Sequence, residues 1–280
     1  MPAPAPFADR LLAWWDHHGR KDLPWQHPRT LYRVWISEIM LQQTQVATVI
    51  PYFERWMQSF PDIATLAAAT QDEVLAHWSG LGYYARARNI HKAASICSED
   101  HGGELPKASA ELITLPGIGL STANAIVSQA TDTPAAVLDG NVRRVLARHT
   151  AVEGWTGKAS VQKRLWNEAE ARLPGRRGAD YTQAVMDLGA LLCTRSKPQC
   201  ADCPVSEDCR ARIENRVTGL PSPKPSTKVS SQTVVMPILR DDAGRVLLEK
   251  RPATGIWGGL WCLPAGDGLA GISNRLGFLL

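Results

Sequence analysis

Four cysteine residues lie close together in the second half of the chain with the spacing C-x6-C-x2-C-x5-C: Cys193, Cys200, Cys203 and Cys209. Thiolates in so compact a run hold either a zinc ion or an iron-sulfur cluster. Structural zinc sites usually draw two ligand pairs from positions separated by a longer stretch, so the spacing favours a 4Fe-4S cluster. A zinc ion and paired disulfides are the alternatives.

A carboxylic acid within an apolar helical segment could supply a proton to a substrate. Glu38 lies at helical spacing from Val34 and Leu41, so its carboxyl group would share their apolar stripe. Burial disfavours the charged form of a carboxyl group and raises its pKa, as a general acid acting near neutral pH requires. The alternative is a solvated glutamate on a helix surface.

A second carboxylic acid, Asp139, stands at or beside the start of a predicted helix whose apolar positions are 142, 145 and 146. Aspartate is a common helix N-cap, and a capping role does not exclude catalysis. Arg143, Arg144 and Arg148 follow on this helix. These arginines could meet phosphate groups, or they could form a solvated basic face.

Two glycines, Gly117 and Gly119, come just before a segment of helix-forming residues over 121–130. Glycine lets the backbone approach a ligand closely, and the free amides of a helix N-terminus can bind a phosphate. The alternative is a tight turn between two helices.

The elements that must position these groups are predicted to be helices. Residues 7–216 alternate apolar residues at helical spacing with short Gly, Pro and Asp breaks, so this part is predicted to be all-α. A Pro-, Ser- and Lys-rich stretch over 218–228 suits an extended linker. Beyond it, strands are predicted over 233–240 and 245–251, joined by a turn at 241–244.

The composition excludes several classes of protein. The 280 residues are 44% hydrophobic, which is sufficient for a large core, and no apolar run approaches the roughly 18 residues that a membrane span needs. The N-terminus lacks the pattern of an export signal, so a cytosolic location is expected. A net charge of +4 permits a polyanionic partner without demanding one.

Several segments occur together in a characteristic order: 37–44 with Ser-Glu and Leu-Gln-Gln-Thr, 80–88, Leu-Pro-Gly-Ile-Gly at 115–119, Val-Leu-Asp-Gly-Asn-Val at 137–142, and the cysteine loop. In these motifs, over residues 8 to about 265, the chain closely resembles the MutY family of adenine DNA glycosylases. That family belongs with endonuclease III to the helix-hairpin-helix superfamily.

The resemblance implies a mostly α helix-hairpin-helix glycosylase fold with an iron-sulfur cluster loop, followed by a partial β-rich MutT-like (Nudix-like) segment. The implied glycosylase domain is 1–217, with a six-helix part at about 26–139 and a cluster part formed by 1–25 and 140–217. A linker at 218–230 and an incomplete MutT-like domain at 231–280 follow.

The resemblance also implies the activity, which is hydrolytic excision of adenine mispaired with 8-oxoguanine or guanine in base excision repair. The expected partner is double-stranded DNA that contains such a mispair. The expected cofactor is a 4Fe-4S cluster, and the protein is expected to be a monomer in the cytoplasm, associated with the nucleoid. No membrane partner is expected.

Three residues are assigned to the reaction by this resemblance. Glu38 would protonate adenine N7 and then help to activate water. Asp139 would stabilise the cationic sugar, and Asn141 would orient the site. Hydrolysis of a glycosidic bond needs such a proton donor and such a stabilising carboxylate.

The resemblance assigns further residues to DNA and to the flipped base. Because a stacked base is inaccessible, adenine must be turned out of the duplex into a pocket. The residues that match the pocket lining are Trp25, Gln26, Leu41, Val46 and Gln183. Gln43 and Tyr83 match residues inserted beside 8-oxoguanine, and Thr44 and Leu81 flank them. Gly117 and Gly119 match the hairpin that holds a DNA phosphate.

Ser121 occupies the position where endonuclease III has a lysine that forms a Schiff base with the sugar. A hydroxyl group cannot form an imine, so a monofunctional glycosylase is predicted. Two alternatives stay open: an endonuclease III-like glycosylase/lyase for oxidised pyrimidines, and a non-catalytic mismatch-binding protein in which Glu38 and Asp139 are structural.

The chain departs from the family pattern at its C-terminal end. Residues 245–263 match only the opening strands of the MutT-like domain, which helps family members to recognise 8-oxoguanine. Weaker discrimination between 8-oxoguanine and guanine is therefore expected. The apolar residues at 276–280 are expected to lack a packing partner.

Overall fold

The computed structural model of the protein describes residues 4–226, 231–252 and 255–277. These residues are mostly helical, which confirms the predicted fold class. The helices in chain order are α1 Phe7–His18, α2 Leu31–Leu41, α3 Val46–Ser59, α4 Ile63–Ala68, α5 Gln71–Trp78, α6 Ala85–Asp100, α7 Ser109–Leu112, α8 Leu120–Thr131, α9 Gly140–His149, α10 Ala159–Glu170, α11 Gly178–Asp187, α12 Arg210–Ile213 and α13 Leu269–Leu276.

Short irregular helices complete the helical part. Pro24–Gln26 and Val217–Gly219 are 3-10 turns, and Leu188–Leu192 continues α11 as a π-helical segment. The chain divides into two compact units. The first contains residues 4–69 and 89–225, and the second contains residues 70–88 with the described residues from 226 onward.

Side-chain caps fix where several helices begin. The side chain of Thr30 accepts a hydrogen bond from the amide of Arg33 at the start of α2. The side chain of Asp62 accepts one from the amide of Thr65 at the start of α4. Asp139 caps α9 by accepting from the amide of Val142, so its predicted capping role is confirmed. Each cap satisfies a backbone amide that the first helical turn leaves unpaired.

In the first unit, α1 packs against α11 around a buried carboxylate. Asp187 is fully buried and accepts hydrogen bonds from the indole of Trp15, from the backbone and guanidinium of Arg20, and from the amide of Gln183, at 2.6 to 3.2 Å. A buried charge is tolerated only when it is paired and hydrogen-bonded in this way. This network joins the N-terminal helix to a part of the chain about 170 residues later.

Helix α8 packs against both α2 and α11 and so holds the centre of the first unit. Its residues Ala123, Ala125 and Ile126 are buried, and small side chains allow the helices to approach closely. The fully buried hydroxyl of Thr182 on α11 donates to the hydroxyl of Ser128 on α8 at 2.8 Å. Because α2 carries Glu38, α8 becomes a wall of any site that contains this residue.

The first residues of the predicted linker pack against the first unit instead of extending freely. Leu220 is buried, and its carbonyl accepts from the guanidinium of Arg148 at 2.9 Å. Ser222 forms a bridge with Trp155 and accepts from the amide of Gly154. Residues 227–230 of the predicted linker lie outside the described residues.

The second unit combines α5 with the C-terminal segment. The predicted turn is present: the amide of Gly244 donates to the carbonyl of Asp241, and Arg240 forms an antiparallel bridge with Val246. The predicted strand at 233–240 is wrong, since that segment forms only isolated bridges at Val235 and Arg240. Within the predicted strand at 245–251, the regular part is β1 (Glu249–Lys250), and it pairs with β2 (Trp261–Cys262).

Polar contacts join the parts of this unit. On α5, Asp72 pairs with Lys250 at 2.6 Å, and at the start of α6 Arg88 donates to the carbonyl of Gly258. Large apolar side chains of the segment, including Ile238, Ile256 and Trp257, are exposed. Of the predicted unpartnered residues 276–280, the last three lie outside the described part of the chain.

Among the residues that the structure describes, no helix is long and apolar enough to cross a membrane.

Replacing Asp187 with Asn should destabilise the first unit by about 3 kcal/mol, because the guanidinium of Arg20 then lacks its negatively charged partner. Thermal unfolding followed by circular dichroism measures the loss. The matched control is Asp16→Asn, which removes an exposed carboxylate paired with Arg177 and should cost less than about 1 kcal/mol. Equal losses in the two variants would contradict the role given to the buried network.

Candidate active site

Glu38 projects from α2 into a cleft of about 910 Å³ in the first unit. Its helix is otherwise largely buried, with Val34, Trp35 and Ile39 in the core. The amide of Gln129 on α8 donates to Glu38 Oε1 at 2.8 Å. Protein therefore surrounds the carboxyl group, although the side chain keeps some contact with the cleft.

The environment of Glu38 favours its protonated form. Burial, together with the negative charge of Asp139, raises the pKa of Glu38 to about 7, although the hydrogen bond from Gln129 lowers it. Near neutral pH, a large fraction of the protein therefore carries a proton on this carboxyl group. This is the state that a general acid needs.

Asp139 enters the same cleft from the N-terminus of α9. Its Oδ1 accepts from the amide of Val142 at 2.7 Å. Burial raises the pKa of Asp139, while the amides of Val142 and Asn141 and the charges of Arg144 and Arg143 lower it. An ionised carboxylate at this position could stabilise a developing positive charge.

Asn141, on the first turn of α9, connects the cleft to the cysteine loop through Arg144. The guanidinium of Arg144 donates to Asn141 Oδ1 and to the carbonyl of Gly189, each at 2.8 Å, and to the carbonyl of Cys193 at 2.7 Å. A Cβ atom at Gly189 would lie 2.7 Å from Cβ of Asn141, so this close approach requires glycine. The orientation of Asn141 therefore depends on where the cysteine loop begins.

The cleft brings together most of the predicted base-binding residues of the first unit. Its lining contains Trp25, Leu41, Gln43, Thr44, Val46, Ser121 and Gln183 beside the three predicted catalytic residues. Gln43 has a positive φ of 59°, which non-glycine residues rarely adopt, so a tight turn after α2 presents this side chain. A mixed apolar and amide lining of this kind suits a planar heterocycle with hydrogen-bonding edges.

Ser121 has a structural bond in addition to its place in the cleft. Its hydroxyl oxygen accepts from the amide of Leu138 at 2.9 Å, which fixes the residue next to Asp139 against the first turn of α8. Ser121 is thus positioned beside the reactive carboxyl groups, but it carries no amine.

Some predicted residues lie outside the cleft lining. Gln26 is buried, and its amide donates to the carbonyl of Arg20 at 3.1 Å. Gly117 has a positive φ of 81°, and a Cβ atom there would lie 2.9 Å from Cβ of Asn89, so the hairpin requires glycine at this position. Gly119 is the N-cap of α8.

Leu81 and Tyr83 belong to the second unit. Leu81 is buried, whereas the Tyr83 ring is 59% exposed and has a positive φ of 50°. The guanidinium of Arg86 lies 5.5 Å from the Tyr83 ring centre and 5.1 Å from that of Trp78. An exposed aromatic ring on a tight turn, supported by a cation, is available to stack on a base.

The four predicted cysteine ligands line one small cavity of about 30 Å³. Burial, and to a lesser degree the neighbouring sulfur atoms, raises the pKa of Cys203 to about 12. Within the described ranges, no group of three or more His, Cys, Asp or Glu side chains could hold a single metal ion. Four thiols around one shared cavity are a donor set that fits an iron-sulfur cluster.

Arg148 braces this loop from α9. Its guanidinium donates to the carbonyls of Thr194 and Arg195 at 2.7 and 3.0 Å, and it lies 3.4 Å from the sulfur of Cys193. Of the arginines that follow Asp139, Arg144 and Arg148 therefore serve the loop, and a purely solvated basic face is excluded for them.

Sequence reasoning missed Gln129 and the pair formed by Arg20 and Asp187. The signal for Gln129 was present, because a polar residue stands at helical spacing from the apolar Ala125 and Ile126. Its partner Glu38 lies 91 residues away, so the sequence pattern alone does not show what the amide binds.

Comparison with known proteins agrees with this geometry. Residues 36–171 match the HhH-GPD superfamily of base excision DNA repair proteins, and residues 234–276 match a NUDIX domain. The second match confirms the predicted MutT-like character of the C-terminal segment.

Named relatives extend the similarity over most of the chain. An adenine DNA glycosylase of Buchnera aphidicola (subspecies Baizongia pistaciae) is 41% identical over 258 residues, which cover 92% of this chain and 73% of the relative. One from Mus musculus is 45% identical, covering 73% of this chain and 41% of the relative.

A solved structure shares the fold. The structure of a thermostable thymine-DNA glycosylase superposes with a TM-score of 0.66 at 27% identity, covering 74% of this chain and 95% of that one. The chain thus combines a helical fold, a cleft with two carboxyl groups and a cysteine loop, and its named relatives are adenine DNA glycosylases. The chain belongs to the adenine DNA glycosylase family, whose members are base excision repair enzymes that hydrolyse N-glycosyl bonds in DNA.

Proposed function

We propose that the protein excises adenine mispaired with 8-oxoguanine or guanine, by hydrolysis and without cleaving the DNA strand. The observation that carries the proposal is the cleft itself, which Glu38 and Asp139 both line and in which the pKa of Glu38 is raised to about 7. The names of the relatives, which are adenine DNA glycosylases, support adenine as the base.

In this mechanism Glu38 delivers its proton to N7 of the flipped adenine. Protonation makes the base a better leaving group, and the bond to the sugar breaks with the electron pair leaving on the base. The sugar then carries a positive charge, which Asp139 stabilises. Glu38, now ionised, accepts a proton from the attacking water, and Asn141 orients the site.

The remaining predicted residues would bind the flipped base and the DNA. Trp25, Leu41, Val46 and Gln183 would contact adenine in the cleft, and Gln26 would support this wall from the core. Gln43 would insert into the duplex, with Thr44 beside it, and Tyr83 and Leu81 would act at the orphaned base. The amides of the hairpin at 117–119 would hold a backbone phosphate, which adds affinity without reading sequence.

We also propose that Cys193, Cys200, Cys203 and Cys209 hold a 4Fe-4S cluster. When bound, the cluster links four points of the loop and so fixes its shape. Through Arg144, a fixed loop would keep Asn141 in position. Because one chain supplies every group in the cleft, we propose that the monomer is active. The domain division into 1–217, 218–230 and 231–280 stays a proposal.

Replacing Glu38 with Gln should lower adenine release by about 10³-fold, because the amide keeps the shape of the carboxyl group but cannot donate the proton. Release is measured in single-turnover reactions with duplexes that contain A opposite 8-oxoguanine, G or T. The wild-type protein should act on the first two. DNA binding measured in parallel should persist in the variant. Unchanged release by Glu38→Gln would show that Glu38 is not the proton donor, whereas binding without release by the wild-type protein would favour the non-catalytic alternative.

Borohydride added during the reaction should trap no covalent complex with DNA, because Ser121 has no amine that could form an imine. A glycosylase with lyase activity serves as the positive control in the same gel assay. Product strands should appear only after treatment with alkali. Efficient trapping would show that the protein is a glycosylase/lyase.

The purified protein should contain iron and acid-labile sulfide in equal amounts, without zinc, and should be brown. Cys203→Ser should lose the iron and unfold at a lower temperature, since the loop then lacks one anchor. Cys262→Ser is the matched control, because Cys262 lies outside the loop, and its iron content should equal that of the wild type. One zinc ion per chain and a colourless protein would overturn the cluster assignment.

A further inference from the structure

Gln129 is a buried polar side chain whose amide reaches the reactive carboxyl group. The side chain is 3% exposed and donates from Nε2 to Glu38 Oε1 at 2.8 Å. Its neighbours on the buried side of α8 are small or apolar, among them Ala125 and Ile126. The bond therefore connects the centre of the helical core to the cleft.

Packing alone does not account for an amide at this position. Burying an amide among apolar groups costs free energy unless a partner satisfies it, and leucine has a similar size. The partner that the structure provides for the Gln129 amide nitrogen is Glu38. The polar character of residue 129 is thus explained by the carboxyl group opposite it.

An amide is chemically suited to a group that gives up a proton and later takes one back. Its nitrogen donates to an ionised carboxylate, and after rotation of the amide its oxygen can accept from a protonated carboxyl group. The observed donation favours the ionised form, and so it opposes the effect of burial on Glu38.

We propose that Gln129 is a positioning residue for Glu38, which holds the carboxyl group at the wall of the cleft and stabilises it after the proton has left. This inference rests on the role of Glu38 in the proposed function. It adds a residue of α8 to the groups that control the reaction, although this residue touches neither the base nor the sugar.

The other charged groups near Glu38 do not take over this role. Helix α8 and the turn Pro24–Gln26 contain no charged residue, and Glu54 and Arg55 on α3 are exposed. Asp139 faces the same cleft and acts in the opposite direction, since its negative charge favours the protonated form of Glu38.

Two arginines line the cleft as well, and each has another partner. The guanidinium of Arg20 pairs with Asp187 at 2.6 Å. Arg143 donates from Nε to the carbonyl of Leu138 at 3.0 Å. Gln129 therefore provides the hydrogen bond to the Glu38 carboxyl group that favours its ionised form.

The test is the pH profile of single-turnover adenine release in Gln129→Leu, with a duplex that contains A opposite 8-oxoguanine. Without the donated bond, Glu38 should keep its proton to higher pH. The limb on which the rate falls with rising pH should therefore move up by about one pH unit, as the loss of one hydrogen bond to a charged group predicts. Gln129→Met, which is unbranched and also lacks the donor, should show the same shift.

Thr182→Val is the matched control. It removes the buried hydrogen bond to Ser128, the neighbour of Gln129 on α8, without touching Glu38. This variant should unfold at a lower temperature and keep the wild-type limb. A shift of equal size in Thr182→Val would mean that loosened packing, and not the amide, moves the profile, and would overturn the proposal.

The remaining outcomes separate this inference from the proposed function. A limb that stays in place in both Gln129→Leu and Gln129→Met, whether or not the rate falls, overturns the positioning role while Glu38→Gln can still be inactive. Normal release by Glu38→Gln overturns the role proposed for Glu38, and the inference falls with it, whereas no release by the wild-type protein overturns the proposed function itself. If Gln129→Leu does not fold, Gln129→Met alone decides.

Discussion

The burial of two carboxyl groups in one cleft is the constraint on which the other features of the site depend. Glu38 and Asp139 each lose hydration, and the negative charge of Asp139 makes ionisation of Glu38 still less favourable. Different neighbouring groups stabilise the charged form of each carboxyl group. The Gln129 amide stabilises Glu38, and the first turn of α9 with its arginines stabilises charge on Asp139. In the proposed reaction, one carboxyl group acts as the acid and the other stabilises the cation.

Helices α8 and α9 carry the groups that stabilise the two carboxyl groups. Helix α8 starts at the hairpin, presents Ser121 near its first turn and Gln129 near its last, and packs on both α2 and α11. Helix α9 starts at Asp139 and continues to Arg144, which grips the beginning of the cysteine loop. The cysteine loop is therefore part of the mechanical support of the cleft. If a cluster holds this loop as proposed, it would act on the cleft through Arg144 and Asn141 without contacting the substrate.

Local sequence signals predicted the parts of this site that local geometry controls. An aspartate before a helix identified the cap of α9, the apolar stripe around Glu38 indicated its burial, and the cysteine spacing marked the loop. Contacts between distant residues could not be read in this way. Gln129 meets a residue 91 positions away, and Arg20 meets Asp187 across 167 positions. Such pairs depend on how helices pack, which periodicity within one helix does not specify.

Asp139 caps the start of α9 with the same side chain that is proposed to stabilise the sugar cation. Asparagine caps helices about as well as aspartate, so a change from Asp to Asn would leave the start of α9, and with it the fold, intact. Such a protein would accumulate normally in the cell, and it would still occupy mispairs and hide them from other repair proteins. Cellular quality control detects misfolded proteins, so it would not remove this folded but inactive variant. The loss of activity would show as a higher mutation rate.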